Sequence, residues 1–449
     1  MGKFTLLRSF SLSFTFWWIC IPNIGAIAMW PIGGPQMAFP MAVCGVAAVA
    51  ICHSENVWIR RAGIVFCFLT SVMMYIAISF NLNPTTVVAS VGFARELDLR
   101  QSPEYLMAVG TILVAMVLAI KFAPQVPKLS TLDHKIMALA TVALLILVDG
   151  AATAGARGSY KMTAPADAPI DSAMIRNELT PSTVSARNLV VILVESLGQP
   201  NNPHDQALFD KAWGKARWSS RYEVTGGTST YYGSTTNAEL REWCSVWKDF
   251  ESFDFDNAHC LPAQFKDAGF HTTSIHTFTG DFFERQTWHP KLGFQDQLFM
   301  PELLGLDAHK CGGVFPGACD TDIPSIIGDK LRSLPDRRNL IYWLTLNSHL
   351  PVAEDSDAHT DNCRLADQNW NEQFPMLCRS YLLQQRLADS IMKEVMRPDF
   401  PEADILIVGD HMPPFFQRAL RNRYDAEHVP WIMLRNRRAL DRSRQGAAL

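Results

Sequence analysis

Long runs without a charged residue crowd the first third of the chain, and shorter apolar runs at wider spacing mark the rest. Five long runs occupy residues 10–30, 36–52, 63–82, 105–120 and 136–148. A helix that crosses a bilayer needs about 20 mostly apolar residues, so the pattern predicts five membrane helices within residues 1–156, the fifth being the shortest. Asp149 follows the fifth run and is expected near the outer end of its helix, where a carboxylate reaches water. The outer segment 81–104, with its apolar stretch 87–93, is expected in the membrane interface. With the N-terminus inside, Lys3, Arg8, Arg60, Arg61, Lys121, Lys128 and Lys135 face the cytoplasm, and only Arg95 and Arg100 lie opposite. That asymmetry obeys the positive-inside rule. Five passes then carry everything after residue 156 out of the cytoplasm.

Beyond that point the pattern changes. Residues 157–186 are rich in Ala, Pro, Ser and Thr and read as a linker. Unbroken apolar runs at 188–194, 339–346, 404–408 and 430–434 have the signature of buried parallel strands. Helical patterns lie between them, at 261–268 and 381–396. This alternation predicts a doubly wound α/β domain over 187–435. Residues 436–449, basic and small, read as a frayed tail.

Composition sharpens the picture. The charged fraction is 19%, below the roughly 25% of soluble domains, which excludes a wholly soluble protein. The polar second part excludes a transporter spanning the whole length. A net charge of −4 lacks the basic footprint of a nucleic-acid binder. Of ten cysteines, Cys20, Cys44, Cys52 and Cys67 sit in or beside apolar runs. The other six lie in the exported part, where an even number suggests disulfides. They fall into three close pairs, so Cys244–Cys260, Cys311–Cys319 and Cys363–Cys378 is the simplest pairing. A zinc–cysteine cluster is the alternative, although no Cys-x-x-Cys occurs.

In a doubly wound sheet, ligands bind beyond the carboxyl ends of the strands. Glu195 follows the first predicted strand, Asn347-Ser348-His349 the second and Asp410-His411 the third. Carboxylate oxygen with imidazole nitrogen suits zinc or manganese. The hydroxyl-rich segment 225–236 precedes Thr236-Asn237-Ala238-Glu239, which has the form of a capping box. Thr235 would then stand just before a helix N-terminus, where the helix dipole favours an anion. A metal-assisted threonine nucleophile suits that place; the plainer reading is a Ser/Thr-rich turn.

Together these residues resemble the alkaline-phosphatase/sulfatase superfamily, and most of all its membrane branch. That branch holds lipoteichoic acid synthases, phosphoglycerol transferases of periplasmic glucans and phosphoethanolamine transferases. The resemblance spans the whole chain, from a five-helix transmembrane domain through a linker to a sulfatase-like extracytoplasmic domain. It implies one divalent metal (manganese or zinc, with magnesium as an alternative) on Glu195, Thr235, Asp410 and His411, with Thr235 as nucleophile. The spacing from Gly233 to Cys244 is similar to that of the phosphoglycerol-transferring members. Phe282-Phe283-Glu284-Arg285 resembles the family's Phe-Trp-x-Arg motif, whose Arg contacts phosphate or headgroup; Phe283 stands in the Trp position. The segment around His349 resembles the one whose His faces the substrate, and His276 is a further candidate to line the site. Phosphoethanolamine transferases carry extra histidines for a second metal; here the next is His428, which reads as structural.

The resemblance therefore implies a bacterial inner-membrane enzyme with its catalytic domain in the periplasm. It would move a phosphoglycerol or phosphoethanolamine headgroup from phosphatidylglycerol or phosphatidylethanolamine to a glycan through a phosphothreonine. The alternatives are a phosphodiesterase or sulfatase-type hydrolase, and a non-catalytic lipid-binding regulator on the same fold. The Cys/Ser-x-Pro-x-Arg setting of classical sulfatases does not occur near Thr235.

Overall fold

The computed structural model describes residues 10–31, 34–80, 84, 87–88, 97–154 and 164–446. Lys3, Arg8, Arg95 and most of the segment 81–96, on which part of the orientation and interface expectations rest, lie outside these residues. The chain divides into two compact units. One is Met1–Val91, Ser102–Lys161 and Phe416–Arg418; the other is Gly92–Gln101, Met162–Phe415 and Ala419–Leu449.

The first unit is helical. Among the described residues three helices are long and apolar enough to cross a membrane: Val57–Ser79, Pro103–Gln125 and Leu132–Thr153. Leu12–Ala28 and Ala38–Ile51 are apolar but shorter. At 1.5 Å per residue they fall below the roughly 30 Å of a hydrocarbon core, so the described residues of this unit hold three full-length helices rather than the expected five. Only 17% of the most apolar window of Pro103–Gln125 is buried, and Met107, Val114 and Val117 point outward. Such a face is stable in lipid and not in water. Asp149 corrects the expectation of a water-reaching carboxylate. It is fully buried and accepts hydrogen bonds from Trp30 Nε1 at 2.9 Å and the Met37 amide at 2.7 Å. Two donors lower the cost of burying the group among apolar side chains.

The second unit is built on a seven-stranded sheet. Its strands are β1 (Asn188–Val194), β2 (Tyr222–Thr230), β3 (Phe270–His276), β4 (Asp296–Leu298), β7 (Arg338–Leu344), β8 (Ala403–Gly409) and β9 (His428–Asn436). Lys310–Cys311 (β5) and Gly317–Ala318 (β6) form a separate two-stranded ribbon. The main sheet runs in the order β2-β9-β8-β1-β7-β3-β4. β1 lies parallel between β7 and β8. β9 is antiparallel to both neighbours, so the sheet is mixed rather than wholly parallel. β1 and β8 are buried along their whole length, as their unbroken apolar sequences require. Helices such as Pro203–Trp213, Ile323–Ser333 and Pro375–Val395 cover the sheet with apolar stripes (Phe209, Ile327, Leu387, Ile391) packed against Ile192, Trp343 and Ile405. Disulfides join Cys244–Cys260, Cys311–Cys319 and Cys363–Cys378.

Two segments differ from expectation. Residues 436–449 are not simply a frayed tail. Arg437–Gly446 is a helix, held by Asn436 Oδ1 accepting from the Ala439 amide and by ion pairs of Arg442 with Glu402 and Arg444 with Glu223. The expected linker is ordered into this unit at its C-terminal end, where Ala173–Arg176 forms a helical turn with Ala173 and Met174 buried.

Asp404, buried in β8, ties the end of this segment to the sheet. Its Oδ2 accepts from the Ser185 amide (3.1 Å), Ser185 Oγ (2.8 Å) and the Ala186 amide (3.3 Å), and its Oδ1 from the Asn436 amide (2.9 Å). Asp404→Ala leaves these donors unpaired in the core and is expected to cost about 2–4 kcal/mol of unfolding free energy. Urea denaturation of the soluble unit measures it, and a change below about 0.5 kcal/mol contradicts the assignment.

Candidate metal and nucleophile site

The strand order explains how distant residues meet. The carboxyl ends of β7, β1 and β8 are adjacent, and β2, which closes the sheet beyond β9, ends at the same rim. From β2 the chain turns through Tyr231–Ser234 into the helix Thr235–Cys244. Gly233 adopts φ +76°, and a Cβ there would fall 2.1 Å from Asn237 Oδ1. Only glycine permits this turn. Asn237 Oδ1 accepts from the Ser234 amide at 2.8 Å and from Ser234 Oγ at 3.2 Å. Ser234, rather than Thr236, is therefore the N-cap, and Thr235 is the first helical residue. Glu239 takes no part in the cap.

Four expected site residues converge. Thr235 Oγ1 lies 3.1 Å from Glu195 Oε2, 2.9 Å from Asp410 Oδ2 and 3.3 Å from His411 Nε2. All four side chains are buried. His411 Nδ1 donates to the Met412 carbonyl at 2.9 Å, which turns the Nε2 lone pair toward the threonine. Asp410 Oδ1 is held by the Ser196 and His411 amides at 2.8 and 2.6 Å, leaving Oδ2 for the site. Glu195 Oε1 accepts from Ser196 Oγ at 2.9 Å, and Ser196 adopts φ +58° to make that bond.

The donor set fits a divalent cation. Two carboxylate oxygens and an imidazole nitrogen within 4.8 Å of one another share one hydroxyl hydrogen. Burial, and then the neighbouring Glu195 charge, push the Asp410 carboxyl up to about 7. A cation at the convergence point removes that repulsion and gives each lone pair a partner. Oxygen and imidazole ligands of this kind hold zinc or manganese.

The other expected residues are held by partners outside these four. Arg285 is buried, with Nε and Nη2 each 2.9 Å from Glu239 Oε2 and Nη1 3.0 Å from the Phe282 carbonyl. Glu239 also accepts from His289 Nε2 (3.0 Å) and Tyr342 Oη (2.9 Å); burial raises its carboxyl, but the Arg285 charge, and then the His289 bond, hold it down at about 2. Phe283 and Glu284 both adopt left-handed backbone (φ +56° and +55°), and the Phe283 ring lies 5.4 Å from the Arg285 guanidinium. His276 ends β3, buried, with Nδ1 3.3 Å from the Leu344 carbonyl and no hydrogen-bond partner for Nε2 among the described residues. Burial, and then the Arg285 charge, push it down to about 3. His349 donates from Nδ1 to the Leu350 carbonyl at 2.8 Å, and burial holds it near 4, neutral with Nε2 as the basic nitrogen. His428 pairs with Asp425 at the start of β9.

Sequence reasoning missed Arg241 and Glu242, about two turns beyond Thr235 on its helix. Charged residues in an amphipathic helix read as a solvent face, yet both are buried. Arg241 donates from Nη2 to the Gly409 carbonyl (3.0 Å) and from Nη1 to the Asp410 carbonyl (3.3 Å), with Nε 2.8 Å from Glu242. Glu242 accepts from the Ala173 and Met174 amides at 3.3 and 3.0 Å. Arg241 thus fixes the backbone that carries two metal-ligand candidates. The sequence signal was faint: an Arg-Glu pair on the helix that begins at Thr235.

Sheet order and rim site together are those of the alkaline-phosphatase-like class of α/β domains. The family model described as Sulfatase matches residues 187–443, and the chain belongs to the sulfatase family. No curated protein matches it in sequence. Among solved structures, the lipoteichoic acid synthase LtaP from Listeria monocytogenes is 13% identical, with a TM-score of 0.44. That match covers 57% of this chain, which spans 66% of LtaP. The phosphoglycerol transferase GacH from Streptococcus pyogenes is 18% identical with a TM-score of 0.37, over 56% of this chain and 69% of that one. The lipooligosaccharide phosphoethanolamine transferase A from Neisseria meningitidis is 12% identical with a TM-score of 0.44, over 92% of this chain and 88% of that one. Likenesses this distant carry no argument about activity.

Arg241→Lys keeps the charge but loses the planar fork that serves two carbonyls and Glu242. Metal affinity, measured by calorimetric titration with Mn²⁺, is expected to fall about 10–100-fold, with far-UV circular dichroism unchanged. Unaltered affinity contradicts the positioning role.

Proposed function

We propose that the protein is a metal-dependent transferase that moves a phosphoglycerol or phosphoethanolamine headgroup from a phospholipid to an extracytoplasmic glycan through a phosphothreonine on Thr235. The observation that carries this reading is the Thr235 hydroxyl at a helix start, in contact with Glu195, Asp410 and His411. When bound there, a divalent cation supplies Lewis-acid stabilisation of the charge that develops on oxygen.

The chain's own residues do the rest. Thr235 Oγ1 attacks the lipid phosphorus and gives its proton to Asp410 Oδ2, 2.9 Å away. The bond from phosphorus to the diacylglycerol oxygen breaks, and diacylglycerol leaves as that oxygen takes a proton from water. The helix N-terminus favours the anion on Thr235. Arg285, anchored on Glu239, offers its remaining guanidinium N–H groups to the phosphate. Phe283 and His276 line the headgroup side. A glycan hydroxyl then attacks the phosphothreonine, with His349 Nε2 taking its proton; the bond from phosphorus to Thr235 Oγ1 breaks, and Asp410 returns its proton to regenerate the threonine. A threonine at this position supports this reading over a formylglycine sulfatase, whose nucleophile is made from Cys or Ser.

The three long helices are read as passes through the bacterial inner membrane, with the second unit in the periplasm. Three disulfides support an oxidising compartment. Purified protein with Mn²⁺ in phosphatidylglycerol or phosphatidylethanolamine vesicles is expected to release diacylglycerol, faster when a periplasmic glucan is added. Intact-mass analysis should show a phospho-headgroup adduct on Thr235, and Thr235→Ala should lower transfer more than about a thousandfold. An adduct on Thr228, Ser234 or Thr236, or rapid hydrolysis of soluble diesters with no glycan modified, contradicts the proposal.

A further inference from the structure

The two-stranded ribbon β5–β6, closed by Cys311–Cys319, clips together the ends of two neighbouring strands of the main sheet, β3 and β7. The Ala318 amide donates to the Thr277 carbonyl, just past β3, at 2.8 Å. A Cβ at Gly317 would fall 2.4 Å from that carbonyl oxygen and 2.5 Å from Leu346 Cδ2, so only glycine lets the ribbon come this close. In the turn of the ribbon the Phe315 ring stands 4.0 Å from the His349 ring, centroid to centroid.

Asp320, the residue after Cys319, is buried and completes the clip. Its Oδ1 accepts from Thr277 Oγ1 at 2.8 Å and from the Leu346 amide at 3.2 Å. Its Oδ2 accepts from the Leu346 and Asn347 amides at 2.9 and 2.7 Å. Asn347 Oδ1 accepts in return from the Asp320 amide at 2.7 Å. Burial pushes the Asp320 carboxyl up to about 6, against the pull of the Asn347 and Leu346 amides. At neutral pH it is therefore ionised and accepts on both oxygens. A buried charge is a costly way to join two strands, but one carboxylate can accept from both strand ends at once.

The partners of Asp320 carry the two substrate-side histidines. Thr277 directly follows His276, and Asn347 and Leu346 lie two and three residues before His349. The metal and nucleophile residues hang from other elements: Glu195 from β1, Asp410 and His411 from β8, Thr235 from its own helix. We infer that Asp320 is a positioning residue, which acts through Thr277 on His276 and through the Leu346 and Asn347 amides on His349. The inference rests on the transferase reading, in which His276 lines the headgroup side and His349 takes the proton of the incoming hydroxyl. A misplacement of about 1 Å at such groups costs on the order of a hundredfold in rate.

The test uses the full chain in detergent with Mn²⁺, phosphatidylglycerol or phosphatidylethanolamine, and a periplasmic glucan. Asp320→Asn keeps the volume but turns one acceptor oxygen into a donor that faces backbone amides. Thr277→Val cuts only the tie to β3 at nearly constant shape, and Thr277→Ser restores the hydroxyl. Measured are kcat and KM, Mn²⁺ affinity by calorimetry, and the ring signals of ¹³C-histidine-labelled protein, assigned with His276→Gln and His349→Gln. Asp320→Asn is expected to lower kcat for glycan transfer about 10–100-fold and to move the His276 and His349 signals, with Mn²⁺ affinity within about threefold of wild type. Thr277→Val is expected to raise KM for the lipid about 3–10-fold and to move the His276 signal alone, while Thr277→Ser stays within about twofold of wild type. Histidine signals unmoved in both Asp320→Asn and Thr277→Val overturn the inference. So does a loss of Mn²⁺ binding in step with activity, which puts Asp320 behind the metal site instead. A lower melting temperature with kcat and KM unchanged makes Asp320 a stabilising stitch only, and also overturns it. If Asp320→Asn does not fold, the two Thr277 variants decide on the same readouts. If wild-type protein releases no diacylglycerol, the transferase reading fails, and the histidine signals still decide the positioning.

Discussion

Two buried carboxylates, Glu195 and Asp410, aim oxygens at one threonine hydroxyl, with His411 Nε2 3.2 Å from Asp410 and 3.6 Å from Glu195. Without a cation, two carboxylates converging on one point in a poorly solvated rim disfavour each other's charge, which is why the Asp410 carboxyl is raised. The surrounding structure is arranged to hold them there. Ser196 in a left-handed conformation, the paired amides on Asp410 Oδ1 and the His411–Met412 bond each use up the group's other hydrogen-bonding capacity. What remains unsatisfied points to one place.

That arrangement depends on close approach of main chains. Gly409 precedes Asp410, and a Cβ there would lie 2.0 Å from the Leu197 carbonyl oxygen, so the ends of β1 and β8 can converge only at glycine. The nucleophile helix contributes from below. Its first residue supplies the hydroxyl, Glu239 anchors Arg285 and His289, and Arg241 grips the carbonyls of Gly409 and Asp410. One helix therefore positions the Thr235 hydroxyl, the buried Arg285 guanidinium and the backbone that carries Asp410 and His411. Glu242 extends the tie to the Ala173 and Met174 amides, in the segment that precedes β1.

Much of this was legible in the sequence where one residue type has one use. Unbroken Val/Ile/Leu runs gave β1, β7 and β8 because only a strand buried on both faces tolerates them, and the residues after each run carried the candidate ligands. β2 was illegible: Thr225-Gly226-Gly227-Thr228 has weak strand propensity and pairs as an edge only because β9 is already in place. The capping box went to Thr236 and Glu239 because the pattern permits it; Gly233 and Asn237 shift it by two residues. Long-range charge pairs such as Glu239–Arg285 cannot be read from spacing at all, since they link positions 46 residues apart. The count of passes was limited for a related reason: apolar run length in sequence exceeds helix length where Pro22 and a π-helical stretch interrupt Leu12–Ala28.

The central claim is that Glu195, Thr235, Asp410 and His411 form one metal site that includes the nucleophile. Anomalous diffraction from crystals of the soluble unit grown with Mn²⁺ tests it most directly. The account predicts a single manganese peak in contact with all four side chains, within about 2.5 Å of each donor atom. A peak held elsewhere, or one that leaves Thr235 Oγ1 out of contact, contradicts it.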